Sequence, residues 1–302
     1  MCGIVGLFLK DPALEPALEP ALGAMLTDML ITMTDRGPDS AGIAIYGRPA
    51  EGRAKLTVQS SDPGADFDGL AGALAEALGA AVRGEVRATH LVLDVPAGAL
   101  DAARATVPRL RPAIKVMSAG DSIEIYKEVG LPRDVAARFG VAGMAGTHGI
   151  GHTRMATESA VTLLGATPFS TGADQCLVHN GSLSNHNAVR RDLRRAGMTF
   201  ETENDTEVAA AFVSHRLQGG QSLEKAMQAT LTDLDGFFTF VVGTRNGFGV
   251  VRDPIACKPA MMAETGAYVA FGSEYLALVN LPGIDTARVW EPEPATVYFW
   301  ER

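Results

Sequence analysis

Apolar residues along the chain fall into short runs of two different periods. Ile4–Leu9 is a strand-sized run that begins almost at the N-terminus. A low-complexity stretch, LEPALEPAL at Leu14–Leu22, follows it. Met25–Met33 then has the spacing of a helix that stops before the Gly37-Pro38 break, and Ala41–Tyr46 predicts a second strand. From about 51 to 145 the character changes, with much Ala and Arg and few polar clusters. This segment predicts strands at Lys55–Gln59, Ala88–Val95, Ile114–Met117 and Ser122–Glu128, and helices at Leu70–Leu78 and Leu100–Val107. That order describes a small α+β lobe with its own core. Beyond it, helices are predicted at Ser184–Ala196, Asp205–Leu217 and Ser222–Leu231. Strands rich in Phe and Val are predicted at Phe237–Val242, Gly247–Val251, Tyr268–Phe271 and Val297–Trp300.

The 302 residues suffice for a sizeable core, and 47% hydrophobic with 20% charged residues is ordinary for a soluble globular protein. A net charge of −9 argues against a nucleic-acid partner, since phosphate binding needs clustered Lys and Arg. The densest basic stretch, Arg190–Arg195, reads as a solvated helix face. No apolar run reaches the roughly 18 residues of a membrane helix. The N-terminus MCGIVGLFLKDP lacks the basic leader and long apolar segment of a secretory signal, so the cytoplasm is the expected compartment. Cys2, Cys176 and Cys257 form no disulfide framework and match no zinc spacing. Cys176 and Cys257 sit in apolar surroundings and are expected to be packed core thiols. His148 and His152 have the spacing of a metal pair on a helix, but Gly149 and Gly151 argue against a helix there, so no metal site is expected. GIGHTR lacks the third glycine of a dinucleotide loop, and no cofactor is expected.

Cys2 follows the initiator Met and is small enough for Met1 to be trimmed, which would leave an α-amino group on the same residue as the thiol. A free thiol has a pKa near ~8.5 and needs a base at neutral pH, and an α-amine near ~7.7–8.0 suits that task. On position alone, a buried small cysteine in a strand is the better reading, so the nucleophile needs support from elsewhere in the chain.

Five motifs in order supply that support: MCGIVG, RGPDSAG (Arg36–Gly42), GHTRMAT (Gly151–Thr157), HNGSLSN (His179–Asn185) and NDTE (Asn204–Glu207). Together they resemble the class II glutamine amidotransferases, which are N-terminal nucleophile hydrolases. Two later stretches, VRDPIACKP (Val251–Pro259) and FGSEYLAL (Phe271–Leu278), are similar to segments of asparagine synthetase-type domains. The resemblance implies an α+β fold, a four-layer αββα sandwich formed by residues 1–50 and 146–302, with the 51–145 lobe inserted. It implies Cys2 as nucleophile, and the Asn180 amide with the Gly181 backbone N–H as an oxyanion hole, although Asn-Gly by itself is also a hairpin signal. Arg154 would clamp the α-carboxylate of glutamine, with Thr157 as a further donor, or else form a structural salt bridge. Asp205 would accept from the α-ammonium, cap the helix that begins near Thr206, or do both. Arg36 and Asp39 would hold the N-terminus in place. Two departures stand out: Ala166-Thr167-Pro168 where Ala-His-Pro is common, and Asn204 where Ser is usual.

No room remains after residue 300 for a synthase domain, so a separate flavin-dependent, glutamate synthase-like subunit is the expected partner. Stand-alone amidotransferase subunits of that kind, those of N-methylglutamate synthase complexes among them, are similar to this chain. The rival expectation is a non-catalytic glutamine-sensing or scaffold subunit of the same fold.

Overall fold

A computed structural model describes residues 2–11, 15–155 and 161–302. The first elements are β1 (Gly3–Leu9), α1 (Leu18–Ile31) and β2 (Ser40–Tyr46). Next come β3 (Arg53–Gln59), α2 (Pro63–Asp66), α3 (Leu70–Leu78), β4 (Arg83–Arg87), β5 (His90–Pro96), α4 (Leu100–Leu110) and β6 (Lys115–Gly120). They are followed by β7 (Ile123–Val129), α5 (Pro132–Phe139), β8 (His148–Arg154), β9 (Phe169–Gly172) and β10 (Gln175–Leu183). The helices α6 (His186–Arg195), α7 (Asp205–Gln218) and α8 (Leu223–Asp233) precede β11 (Gly236–Gly243) and β12 (Gly247–Arg252). The chain closes with β13 (Met261–Glu264), β14 (Tyr268–Gly272), β15 (Arg288–Trp290) and β16 (Val297–Glu301).

Two sheets form the body, one of order β15-β13-β14-β1-β8-β2-β7 and one of order β16-β12-β11-β10-β9. Side-chain alternation sorts their residues into layers. On β1, Val5, Leu7 and Leu9 join the cluster that contains Leu22, Leu26 and Leu30 of α1 and Val135 of α5. Ile4 and Phe8 face the other way, into a core shared with Val178 of β10 and Val241 and Phe248 of the five-stranded sheet. Leu177 of β10 and Phe238 and Phe240 of β11 pack on α7 and α8. The layers are therefore helix, sheet, sheet, helix, the sandwich implied by the sequence. Gly6 has a packing reason: a Cβ there would stand 2.7 Å from the Phe248 ring.

A third sheet, of order β4-β5-β3-β6, spans Arg53–Gly120. Leu56, Val58, Leu91 and Leu93 pack with Leu70 and Leu74 of α3 and Val107 of α4 in a separate aliphatic core. The strand expected to close the lobe at Ser122–Glu128 forms as β7, but it pairs with β2 and is the edge of the seven-stranded sheet. Asp174 latches this junction. Its carboxylate accepts from the backbone N–H groups of Asp121, Ser122 and Ile123 at 2.7, 2.9 and 3.0 Å and from Ser122 Oγ at 2.9 Å.

Candidate active site

The alternation that builds the inter-sheet core also builds the site. Cys2 continues the face of Ile4 and Phe8, His152 and Arg154 continue the face of Ile150, and Asn180 continues that of Cys176 and Val178. These four side chains thus gather at one end of the sandwich. The N-terminus is fixed there through its backbone. Gly3 N–H donates to Thr153 Oγ1 at 3.2 Å, and Ile4 N–H donates to Ser273 Oγ at 2.9 Å. The Cys2 carbonyl accepts from Arg36 Nε at 3.0 Å and from Asn180 Nδ2 at 3.1 Å. Glu274 in turn holds Arg36 Nη1 at 2.5 Å, so the Ser-Glu turn grips the first residues twice.

Burial pushes the Cys2 thiol up, but the neighbouring His152 ring and the Met155 backbone outweigh it and bring the thiol down to about 7. His152 is buried, with Nε2 at 3.2 Å from the His179 carbonyl. Its Nδ1 has no hydrogen-bond partner of full geometry among the described residues, so its hold on the thiol is that of an adjacent ring. Sequence reasoning weighed His152 only as half of a metal pair. On β8, His148 and His152 share a face but stand four residues apart, about 13 Å at strand rise, too far to share an ion. Among the described residues no group of His, Cys, Asp and Glu could hold a metal.

Asn180 and Gly181 lie inside β10, paired with Thr239 and Phe238 of β11, and not at a hairpin tip. Gly181 has φ +151°, and a Cβ there would stand 2.0 Å from the Phe237 carbonyl and 2.8 Å from His179 Nε2. Only glycine fits this position. Asn180 uses one amide hydrogen on Cys2, which leaves its second donor for another acceptor.

Asp205 is the first residue of α7, and the cap is its neighbour: Asn204 Oδ1 accepts from Thr206 N–H at 2.8 Å, as a Ser hydroxyl would. The Asp205 carboxylate instead accepts from Leu183 N–H at 3.0 Å and lies 3.6 Å from His179 Nδ1. Burial raises the Asp205 carboxyl, and His179 together with the Leu183 N–H overcomes this and holds it below the usual range. His179, which sequence reasoning passed over, thus links the Asn180 strand to α7. Arg154 ends β8, and its carbonyl accepts from Asp39 N–H at 3.1 Å, while the Asp39 carbonyl accepts from Gly130 N–H at 2.9 Å. Thr157 lies outside the described residues.

Three further expectations meet a different outcome or a new detail. Cys257 is exposed, unlike buried Cys176. Arg252 draws the backbone of its turn inward by donating to the Ala256 and Lys258 carbonyls, which leaves Cys257 outside. Arg190 is buried, ion-paired with Glu203 and donating to the Asn204 carbonyl at 3.2 Å, so the arginine stretch is not wholly a solvated face. Thr167 is buried, with no partner for its hydroxyl among the described residues.

Residues 152–280 match the glutamine amidotransferase domain family. The glutamine amidotransferase-like protein GlxB of Rhizobium meliloti is 66% identical over 301 residues, covering 100% of this chain and 98% of that protein. The chain belongs to the class II glutamine amidotransferase family. A second relative of this amidotransferase, from Methanothermobacter thermautotrophicus, is 34% identical over 317 residues and is matched over 100% of both chains. By fold, the amidotransferase is similar to the phosphoribosylpyrophosphate amidotransferase of B. subtilis, with a TM-score of 0.61 and 18% identity, over 99% of this chain and 47% of that one. Among the described residues no helix is long and apolar enough to cross a membrane.

Proposed function

We propose that this amidotransferase hydrolyses glutamine through Cys2. The Sγ attacks the side-chain amide carbonyl, the C–N bond breaks, and ammonia leaves with the thiol proton. Water then cleaves the γ-glutamyl thioester, giving glutamate and restoring the thiol. The observation that carries this reading is the Asn180 amide holding the Cys2 carbonyl at 3.1 Å, beside a thiol that the His152 ring draws down to about 7. The spare Asn180 donor and the Gly181 N–H would receive the tetrahedral oxyanion. Arg154 would take the substrate α-carboxylate and ionised Asp205 its α-ammonium, with Thr157 as a further donor. Arg36, with Asp39 three residues on, serves to hold the N-terminus. Once Met1 is removed, the α-amine of Cys2 is the general base, and His152 tunes the thiol.

The ammonia goes to a separate protein. Glutamine–fructose-6-phosphate aminotransferase of Aliivibrio fischeri is matched over only 27% of its length, whereas the two relatives described above are matched over 98% and 100% of theirs. A relative whose name includes an acceptor thus carries much more chain than the amidotransferase region. This contrast supports a separate partner synthase, and the motif resemblance is what suggests the flavin-dependent, glutamate synthase-like class that includes N-methylglutamate synthase. An assay of glutamate release by the wild-type chain and by Cys2→Ala tests the core reading. Turnover by the wild type and a loss of at least ~10³-fold in the variant are expected. Equal turnover by both would refute it.

A further inference from the structure

A cavity of about 450 Å³ opens where α4 and β6 of the small sheet meet β7, β9 and α7 of the body, and neither Cys2, Asn180 nor Arg154 lines it. Its volume falls in the range of small-molecule sites. Lys127 of β7 lines it and is buried. Its Nζ donates to the Ala166 carbonyl at 3.1 Å and the Pro168 carbonyl at 3.5 Å, and it stands 4.7 Å from the centre of the Phe169 ring. An ammonium has three donors, so one is left over, and no carboxylate among the described residues forms an ion pair with it. Burial pushes Lys127 down to about 8, against the pull of Glu201 and Glu207, so it remains mostly cationic at neutral pH.

The lining also holds carboxylates. Glu207 is buried, its carboxylate accepting from Glu201 N–H, Thr202 N–H and Thr202 Oγ1 at 2.8, 2.8 and 2.7 Å, and Glu201 and Arg104 line the cavity with it. Leu164 and Phe169 add apolar lining. A buried cation without an ion pair, sharing one cavity with carboxylates and apolar residues, matches a zwitterion better than a simple anion or cation. We propose that this cavity binds a free α-amino acid with an apolar side chain, its carboxylate on Lys127 and its ammonium toward Glu201 and Glu207.

Occupancy has a route to the Cys2 site. Lys127 holds the Ala166 and Pro168 carbonyls, and a Cβ on the adjoining Gly165 would stand 2.8 Å from Arg154 Nη1. A ligand that draws on Lys127 therefore acts on the turn backing Arg154. This coupling rests on Arg154 as the glutamine carboxylate ligand, while the binding itself does not.

The test is calorimetry on the full-length Cys2→Ala chain, so that turnover does not matter, with L-leucine as probe. 4-Methylpentanoate, which lacks the ammonium, and 3-methylbutylamine, which lacks the carboxylate, serve as controls. Saturable leucine binding is expected, weakened about tenfold or more for each control and in Lys127→Met. Thr199→Trp, which fills the cavity and leaves Lys127 in place, should abolish binding, with circular dichroism verifying that both variants are folded. In the active chain, leucine should change the glutamine KM at least about twofold, and Thr199→Trp should remove that response. Absence of saturable binding in the millimolar range, equal binding of either control, or displacement of leucine by saturating glutamine would overturn the site. Leucine binding that leaves KM unmoved would overturn the route through Arg154.

Discussion

The seven-stranded sheet and the four-stranded sheet are assembled in opposite ways. In the larger one, β1 pairs with β14 and β8, so Val5 lies opposite Gly272 and Gly151. The smaller takes all its strands from Arg53–Gly120 and fills its core with aliphatic side chains. The polar network follows the first pattern. Cys2, Arg36, Asn180 and Glu274 are bound into one hydrogen-bonded chain although the sequence separates them widely. The proposed chemistry sits where remote segments converge, and the segment that closes on itself contributes none of its residues. Substitutions at the convergence should therefore change catalysis, while changes in the small sheet should leave glutamine hydrolysis intact.

The largest effect in this comparison is expected at Asn180. Asn180→Ala removes the proposed oxyanion donor and one of two bonds to the Cys2 carbonyl, and should lower kcat about 10²–10³-fold with little change in KM. Steady-state kinetics on glutamine would check this, and a change confined to KM would reassign the residue. Arg154→Ala comes next. Loss of a charge-assisted clamp, about 1.5–3 kcal/mol, should raise KM by about 10–100-fold and spare kcat.

The pH profile separates His152 from the other groups. A thiol near 7 loses its proton as pH rises, so activity in the wild type should climb through neutral pH and level off above it. His152→Gln removes the principal lowering influence, so the rising limb should move to higher pH. Activity at pH 7 should then fall about tenfold or more and recover in alkali. An unmoved limb would mean that His152 does not set the ionisation.

The smallest effect belongs to the small sheet. Replacing residues 53–120 by a short linker keeps β2 and β7, so glutamate release by the isolated chain should change less than about twofold. A collapse of basal activity would show that the two sheets are not independent.

Legibility follows the same divide. Strands β1, β2, β11 and β14 announce themselves because each buries both faces, which leaves a run of apolar residues. β8 carries His152 and Arg154 yet reads HGIGHTR, without an apolar run. Its glycines are needed because α1 lies directly on it: a Cβ at Gly149 or Gly151 would stand 2.7 Å from Leu26 or 2.9 Å from Leu30. β4 escapes notice for the opposite reason, being a polar, exposed edge, RGEVR. The order of motifs named the family's site positions, but not what joins them. That His179 reaches toward Asp205, or that Glu274 reaches Cys2 through Arg36, depends on pairings between strands far apart in sequence, which local period cannot express.

The central claim is that Cys2, freed of Met1, is the nucleophile. Intact-mass analysis after treatment with 6-diazo-5-oxo-norleucine, a glutamine-analogue electrophile, tests it most directly. Cys257 is the internal control, since it is exposed, whereas Cys176 is buried and its thiol is pushed up to about 12. The account predicts a single adduct, located at Cys2, on protein that has lost Met1, and no adduct on protein that retains it. Labelling of Cys257 in place of Cys2, or full labelling and turnover with Met1 still attached, would contradict it.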